Sequence, residues 1–352
     1  MKSASTLRGK LCALLCALLF ASLLTGAAQA QEAPPQLVGI NVAGAGFAGG
    51  TLPGKHGTNY FFPPPDYFVQ WKERGITWIR FSIIWERLQP QQFGDFDSDY
   101  AARIDKTLDD AKANGIRVML DVHNYGRYYG KIIGDADVPI KAYQDLMERI
   151  SERWANNDTL YSYDIMNEPY GEAERYWFDV AQAGIDGVRK YDKSKTIYVE
   201  GRSWSSAQRW PGLNDDLLKL VDPADNLVFS AHIYADKDSS GLYKQAMPDN
   251  YDPMVVVKRV EPFVEWLRKH GKRGHLGEFG VPNNDPRWLR IMDNLLSYLQ
   301  QNCIPMTYWA AGPSWGRNYH MSIEPLDGKD RPQWPVLQKY LGSGSCEAIG
   351  PK

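Results

Sequence analysis

The sequence predicts an α/β chain folded as a single-domain (β/α)8, or TIM, barrel. Three observations predict it. Short apolar runs alternate with longer stretches of helical period. The alternation repeats eight times in about 300 residues, the usual size of such a barrel. Polar residues collect at the C-terminal ends of the apolar runs, the rim on which barrels build their sites. A doubly wound open sheet fits the same strand count.

The first thirty of the 352 residues stand outside the pattern. Lys2, Arg8 and Lys10 are followed by an apolar run, Leu11 to Leu24, and by Ala28-Gln29-Ala30. A positive start, a short apolar stretch and small residues make an export signal with a cleavage site. The run is shorter than the ~20 residues a membrane helix needs. Residues 1–30 are therefore expected to be removed, leaving a secreted single domain over 31–352, extracellular or periplasmic.

The expected strands are Leu37–Asn41, Thr77–Ile83, Arg117–Val122, Ser162–Met166, Thr196–Glu200, Leu227–His232, Gly274–Glu278 and Met306–Ala310. Each is a short apolar run of strand length. Phe62-Pro63-Pro64-Pro65 reads as a loop entering a helix within the first unit. Tyr100–Asn114 has apolar or small residues at helical spacing and ends at Gly115. Ile140–Ala155, Glu172–Tyr191, Met254–His270 and Pro286–Gln300 carry the same period. No linker or internal repeat divides the chain.

The formal charge is −2, and the leader contributes three cations and no acids, so the mature chain is more acidic still. Nucleic acid or an anionic membrane would call for basic patches. The 12 Trp and 20 Tyr are abundant and suit the flat faces of sugars, although large cores use them too. Cys12 and Cys16 leave with the leader. Cys303 and Cys346 remain, enough for one disulfide in an oxidising compartment or for two free thiols.

Three motifs suggest other chemistries and fail on context. Gly44-Ala45-Gly46-Phe47-Ala48-Gly49 has dinucleotide spacing, but loop residues follow where a helix must begin. Gly312-Pro313-Ser314-Trp315-Gly316 has nucleophile-elbow spacing, but no acid lies between Ser314 and His320, the only later His. His270 and His275 are not at the four-residue spacing that puts two metal ligands on one helical face. No metal and no cofactor are expected.

The chemistry lies on the rim. The second strand carries Arg80. The third ends in Asp121-Val122-His123-Asn124-Tyr125, the fourth in Asn167-Glu168 and the sixth in His232-Ile233-Tyr234. The seventh ends in Glu278 and the eighth in Tyr308-Trp309. Two carboxylates at the mouth of one barrel are the minimum equipment for cutting a glycosidic bond. Asn-Glu-Pro alone is a weak signal, and a lone His is commonly a satisfied core residue. Six of eight strands ending this way is hard to explain by packing.

In these residues the chain resembles glycoside hydrolase family 5, the (β/α)8 retaining glycosidases, and within it the secreted endo-β-1,4-glucanases (cellulases). The resemblance runs from about Val38 to Leu341. Arg80, His123, Asn167, Glu168, His232, Tyr234, Glu278 and Trp309 match eight positions typical of that family. Asp121–Tyr125, Ile165–Pro169 and Gly39-Ile40-Asn41-Val42-Ala43-Gly44 resemble the cellulase branch.

The resemblance implies hydrolysis with retained anomeric configuration, which places the carboxyl groups ~5–5.5 Å apart. It implies Glu278 as nucleophile, kept ionised by Arg80 and a hydrogen bond from Tyr234. It implies Glu168 as acid and then base, with His232 beside it. Asn167 would bind the sugar 2-OH, His123 another hydroxyl, and Trp309 would lie under the ring. Tyr125, Trp204, Trp210 and Trp315 are either platforms for flanking sugars or loop packing. The implied substrate is cellulose or mixed-linkage β-glucan, with mannan, xylan and xyloglucan as alternatives and a monomer as the expected state. A non-catalytic glycan-binding barrel would be expected to lack one of the two glutamates. In a barrel, Cys303 and Cys346 would both lie at the end away from the rim, where a bond would pin the C-terminal tail.

Overall fold

The computed structural model describes residues 36–342 and 344–351. The expected export segment, with Cys12 and Cys16, lies outside the described residues. Eight parallel strands close into a barrel in sequence order: β1 (Val38–Val42), β2 (Trp78–Ile83), β3 (Arg117–Val122), β4 (Leu160–Asp164), β5 (Thr196–Glu200), β6 (Leu227–His232), β7 (Gly274–Phe279) and β8 (Met306–Ala311). Closure, with β8 pairing β1 in register Val38↔Met306, rules out the open-sheet alternative.

Helices connect the strands on the outside: α1 (Tyr67–Glu73), α2 (Ser98–Ala113), α3 (Ile140–Trp154), α4 (Trp177–Tyr191), α5 (Val255–His270), α6 (Pro286–Gln301) and α7 (Trp334–Gln338). The Pro63–Pro65 run leads into α1, as expected. Asp97 caps α2 by accepting from the Tyr100 amide, and Gly271 ends α5 in the left-handed conformation that favours glycine.

Side-chain alternation decides what faces the barrel axis. On β2, Ile79, Phe81 and Ile83 join the core beneath the helices, while Trp78 and Arg80 point the other way. Trp78, Met119, Tyr198 and Val228 form a separate apolar plug inside the barrel, with Ile349 of the C-terminal tail against it. The tail is held there by Gly350 N–H to Cys303 O and Gly274 N–H to Gly350 O, both 2.8 Å. Above the plug every strand turns polar. This layering puts apolar packing at one end and chemistry at the other.

Three expectations need correction. The fourth strand is Leu160–Asp164, not Ser162–Met166. Its ladder with β5 stops at Asp164↔Tyr198, and the Asn167 amide bonds back to Val122 O on β3. The helix expected from Glu172 is a 3-10 turn over Gly171–Tyr176 before α4 begins at Trp177. Asp135 holds both Arg175 and Tyr176 there. The fifth unit has no long helix. Ser203, Trp204 and Ser205 all take positive φ, and Pro211-Gly212 breaks the next turn.

Cys303 and Cys346 are bonded, with Cα atoms 5.5 Å apart, just before β8 at the end opposite the polar rim. The bond closes 43 residues of chain. Replacing Cys346 by Ser is expected to lower unfolding stability by about 2–4 kcal/mol and to leave kcat/KM within twofold. Denaturant unfolding and initial rates measured on the same preparations check both.

Candidate active site

Alternation alone does not aim every functional side chain. On β7, His275 and Gly277 face inward and Leu276 outward, so Glu278 should face outward. A bulge reverses this. Ala231 pairs with Leu276 but His232 pairs with Glu278, so one extra residue turns the carboxylate inward. Gly277 is required at the bulge, because a Cβ there would sit 2.7 Å from both His232 Nε2 and Ser230 Oγ.

Arg80 stands at the centre, fully buried. Its Nε donates to Asp164 Oδ2 at 2.8 Å. Nη1 donates to Asn41 Oδ1 at 3.0 Å and Glu278 Oε1 at 3.1 Å. Nη2 donates to Asn167 Oδ1 at 2.8 Å and Glu200 Oε1 at 2.9 Å, with Asp121 Oδ1 3.1 Å away. Asn41 in turn donates to Gly277 O and Thr307 O, tying the cluster to β7 and β8. One cation thus meets four carboxylates. Burial, then Glu200, pushes Asp164 well above the ordinary carboxylate range, against the pull of Arg80. Burial pushes Asp121 up, but Arg80 and His123 outweigh it and hold its pKa below the ordinary value.

Glu278 is the carboxylate of this cluster with some exposed surface, 6% of its side chain against 0% for the other three. Arg80 serves Oε1, and Tyr234 donates to Oε2 at 2.8 Å. Glu168 has a different setting. It sits in the left-handed region at φ 45°, a strained conformation for a non-glycine residue. Its amide donates to Glu200 Oε2 at 2.7 Å, and its Oε1 lies 2.7 Å from His232 Nδ1. Burial, then the charge of Glu278, pushes its pKa up to about 6, against the opposing pull of His232. One oxygen of Glu168 and one of Glu278 lie within 4.8 Å of each other, with a His232 nitrogen also inside that distance. This is the one group of possible metal ligands among the described residues, and its atoms already bond to one another, to Arg80 and to Tyr234.

A cleft of about 690 Å³ is lined by His123, Tyr125 and Trp309 of the rim. His123 is held by Asp121 at 2.7 Å, lies 3.1 Å from the Tyr125 hydroxyl and stacks 5.5 Å from Trp309 at 15°. Tyr125, Trp309 and Trp315 line the cleft. Tyr319 fixes two of these rings, accepting from Trp309 Nε1 at 3.1 Å and stacking on Trp315 at 4.1 Å. Trp204 is 49% exposed and stacks at 4.6 Å and 10° on Tyr170, which lines the cleft. Trp210 is corrected from platform to core. It is 0% exposed and packs against Phe263, Trp266 and Phe229, because the fifth unit lacks a long helix to cover them.

The structure therefore brings together Arg80, His123, Asn167, Glu168, His232, Tyr234, Glu278 and Trp309, as the rim argument expected. Asn41, Asp164, Glu200 and Tyr319 were missed. The signal for Glu200 was present, since it is the polar end of the fifth strand, which the rim survey passed over.

The chain matches the family Cellulase (glycosyl hydrolase family 5) over residues 31–314. It is 33% identical over 313 residues to a probable endo-beta-1,4-glucanase B of Neosartorya fischeri, covering 87% of this chain and 92% of that one. It is 34% identical over 310 residues to endo-beta-1,4-glucanase A of Emericella nidulans, covering 86% and 92%. Among solved structures, Pseudomonas stutzeri endoglucanase Cel5A in complex with cellobiose superposes with TM-score 0.87 at 46% identity, covering 92% and 97%. XacCel5A in complex with cellopentaose gives TM-score 0.81 at 34% identity, covering 87% and 99%.

Arg80→Met strips the cation from four buried carboxylates and is expected to cost about 3–5 kcal/mol of stability, read as a drop in unfolding midpoint. Gly277→Ala acts on the bulge. It is expected to lower kcat/KM at least tenfold by displacing His232 and Glu278. An unchanged rate would show that the bulge does not aim the carboxylate.

Proposed function

The chain belongs to the cellulase family, glycosyl hydrolase family 5, and on that premise we propose how its residues perform retaining, endo-acting hydrolysis of β-1,4-glucosidic bonds. Glu278 attacks the anomeric carbon as Glu168 protonates the departing oxygen, leaving a glycosyl ester on Glu278. Glu168 then takes a proton from water, which attacks the same carbon and releases Glu278. The observation that carries this reading is the carboxylate pair, with oxygens within 4.8 Å. That fits the ~5–5.5 Å spacing of a retaining pair better than the ~6.5–9.5 Å that leaves room for a water in an inverting enzyme.

The surroundings suit the two roles. Arg80 and Tyr234 stabilise charge on both oxygens of Glu278. Glu168, raised to about 6 by burial and by Glu278, holds its proton in mildly acidic solution. Forming the ester neutralises Glu278 and removes that upward push, so Glu168 becomes the stronger acid and stays ionised as a base. Asn167 Nδ2 has no partner among the described residues, leaving a donor for the sugar 2-OH. His123 binds a second hydroxyl and Trp309 carries the ring. Tyr125, Trp315 and Trp204 extend the aromatic path to flanking sugars.

The substrate class is β-1,4-glucan, cellulose or a mixed-linkage chain, supported by the names of the relatives and the cello-oligosaccharides in the similar structures. The protein acts as a secreted monomer after loss of residues 1–30, with one catalytic domain over 31–352. The charged and apolar pattern of the leader and the Cys303–Cys346 bond support export. Amino-terminal sequencing and gel filtration of the secreted material test both points.

Glu278→Gln is expected to abolish measurable turnover while cello-oligosaccharide binding and the unfolding midpoint stay near wild type. Residual activity near wild type would remove Glu278 as nucleophile. Because Glu168 must be protonated to act and loses its proton above about pH 6, kcat/KM is expected to fall as pH rises through that value. Glu168→Ala should cost about 10²–10⁴-fold on unactivated glucan and abolish that alkaline limb. Initial rates should be higher on carboxymethyl cellulose and barley β-glucan than on mannan or xylan. The reverse order would overturn the substrate class.

A further inference from the structure

His232 is flanked by two carboxylates, one at each ring nitrogen. Nδ1 lies at hydrogen-bond distance, 2.7 Å, from Glu168 Oε1, and Nε2 lies 3.0 Å from Glu200 Oε1 in an ion-pair contact that lacks hydrogen-bond alignment. A neutral imidazole has one N–H; an imidazolium has two. If the ring is neutral with its proton on Nε2, Nδ1 is a lone pair. The contact with Glu168 is then satisfied only by a proton on Glu168 Oε1, held between oxygen and nitrogen in the wall of the site. If the ring is an imidazolium, Nδ1–H donates to Oε1. The proton of the acid then resides on Oε2, which has no hydrogen bond to the described residues and is free to meet a leaving oxygen.

We propose that Glu200 is a positioning residue that keeps both nitrogens of His232 protonated and thereby directs the catalytic proton of Glu168 to Oε2. The inference rests on Glu168 being the acid. Glu200 is built for this. It is fully buried at the end of β5, its backbone oxygen accepts from Trp177 Nε1 at 2.8 Å, and its Oε1 also accepts from Arg80 at 2.9 Å, which keeps it ionised. Its Oε2 accepts from the Glu168 amide at 2.7 Å and so holds the acid's left-handed backbone. One carboxylate thus fixes the acid's main chain, the imidazole's charge and the side on which the acid carries its proton.

The acidic groups around His232 all favour its charge. Glu168 faces it from the end of β4, Glu278 from β7 at 3.7 Å, and Tyr234 follows on its own strand. Arg80 from β2, which shares Glu200 Oε1 with the ring, opposes its charge. His275 is kept neutral, first by burial and then by Arg80 and His232. Burial pulls His232 down, but Glu200, Glu278 and Glu168 outweigh it and hold the ring well above its ordinary value. The same imidazolium serves the second half-reaction, when Glu168 is an anion drawing a proton from water.

The test is leaving-group dependence, because a proton on the wrong oxygen matters only when the leaving oxygen needs it. Values of kcat/KM, which report steps through glycosylation, are measured for wild type, Glu200→Gln and Glu168→Ala. The substrates are a phenyl and a 2,4-dinitrophenyl β-cellobioside. Glu200→Gln is expected to lose at least tenfold on the phenyl substrate and less than threefold on the dinitrophenyl one. Equal losses on both substrates, or none, overturn the proposal. If Glu168→Ala spares the dinitrophenyl substrate while Glu200→Gln does not, the acid assignment stands and only this inference fails. If Glu168→Ala itself loses equally on both, the acid assignment fails first. Should Glu200→Gln not fold, nitrogen NMR of histidine-labelled wild-type protein decides. At pH 7, His232, assigned by its loss in His232→Gln, is expected to show two protonated nitrogens. An unprotonated Nδ1 overturns the proposal.

Discussion

The buried guanidinium of Arg80, shared among Asp121, Asp164, Glu200 and Glu278, is the interaction on which the rest of the site depends. Desolvating four carboxylates is affordable only with charge and hydrogen bonds to offset it. A planar fork with five N–H donors is the one side chain that reaches so many oxygens from one point. The cluster gathers residues from β1, β2, β3, β4, β5 and β7, so it aligns the strand ends while it balances the charge. Burial and Glu200 push Asp164 toward its neutral form, in the direction that relieves part of the repulsion.

From this centre the two glutamates diverge. Glu278 is bound directly to the cation through one oxygen and to Tyr234 through the other. Glu168 meets the cluster only through Glu200 and His232 and is pushed up by burial and by Glu278. Two identical side chains thus acquire different settings through their neighbours, the difference that the proposed roles of nucleophile and acid require. In the proposed mechanism the coupling also runs in time, because neutralising Glu278 in the ester would remove a cause of Glu168's raised pKa.

Much of this was legible in the chain. The strand and helix periods mark eight units, and the polar strand ends mark both glutamates, Arg80 and His232. The misses have physical causes. The bulge at Gly277 is a register event between two strands, invisible to a period read along one. Trp210 looked like a rim platform because tryptophans suit sugars, but a missing helix in the fifth unit draws it into the core. Asp164 reads as an ordinary strand residue until closure of the barrel brings it against Arg80. Glu200 obeyed the same rule as the others and was accessible to it.

The sequence by itself determined the alternation of strands and helices, the polar ends of those strands, and the residue types able to break a glycosidic bond. These are local properties, since side-chain period and composition are written along the chain. The tertiary structure decided which carboxylate meets which cation, which way Glu278 points and how far it lies from Glu168. It also decided that one imidazole faces two carboxylates. Those depend on distances between residues far apart in sequence, and in a low-dielectric interior such distances set the charge and proton position of every group in the site.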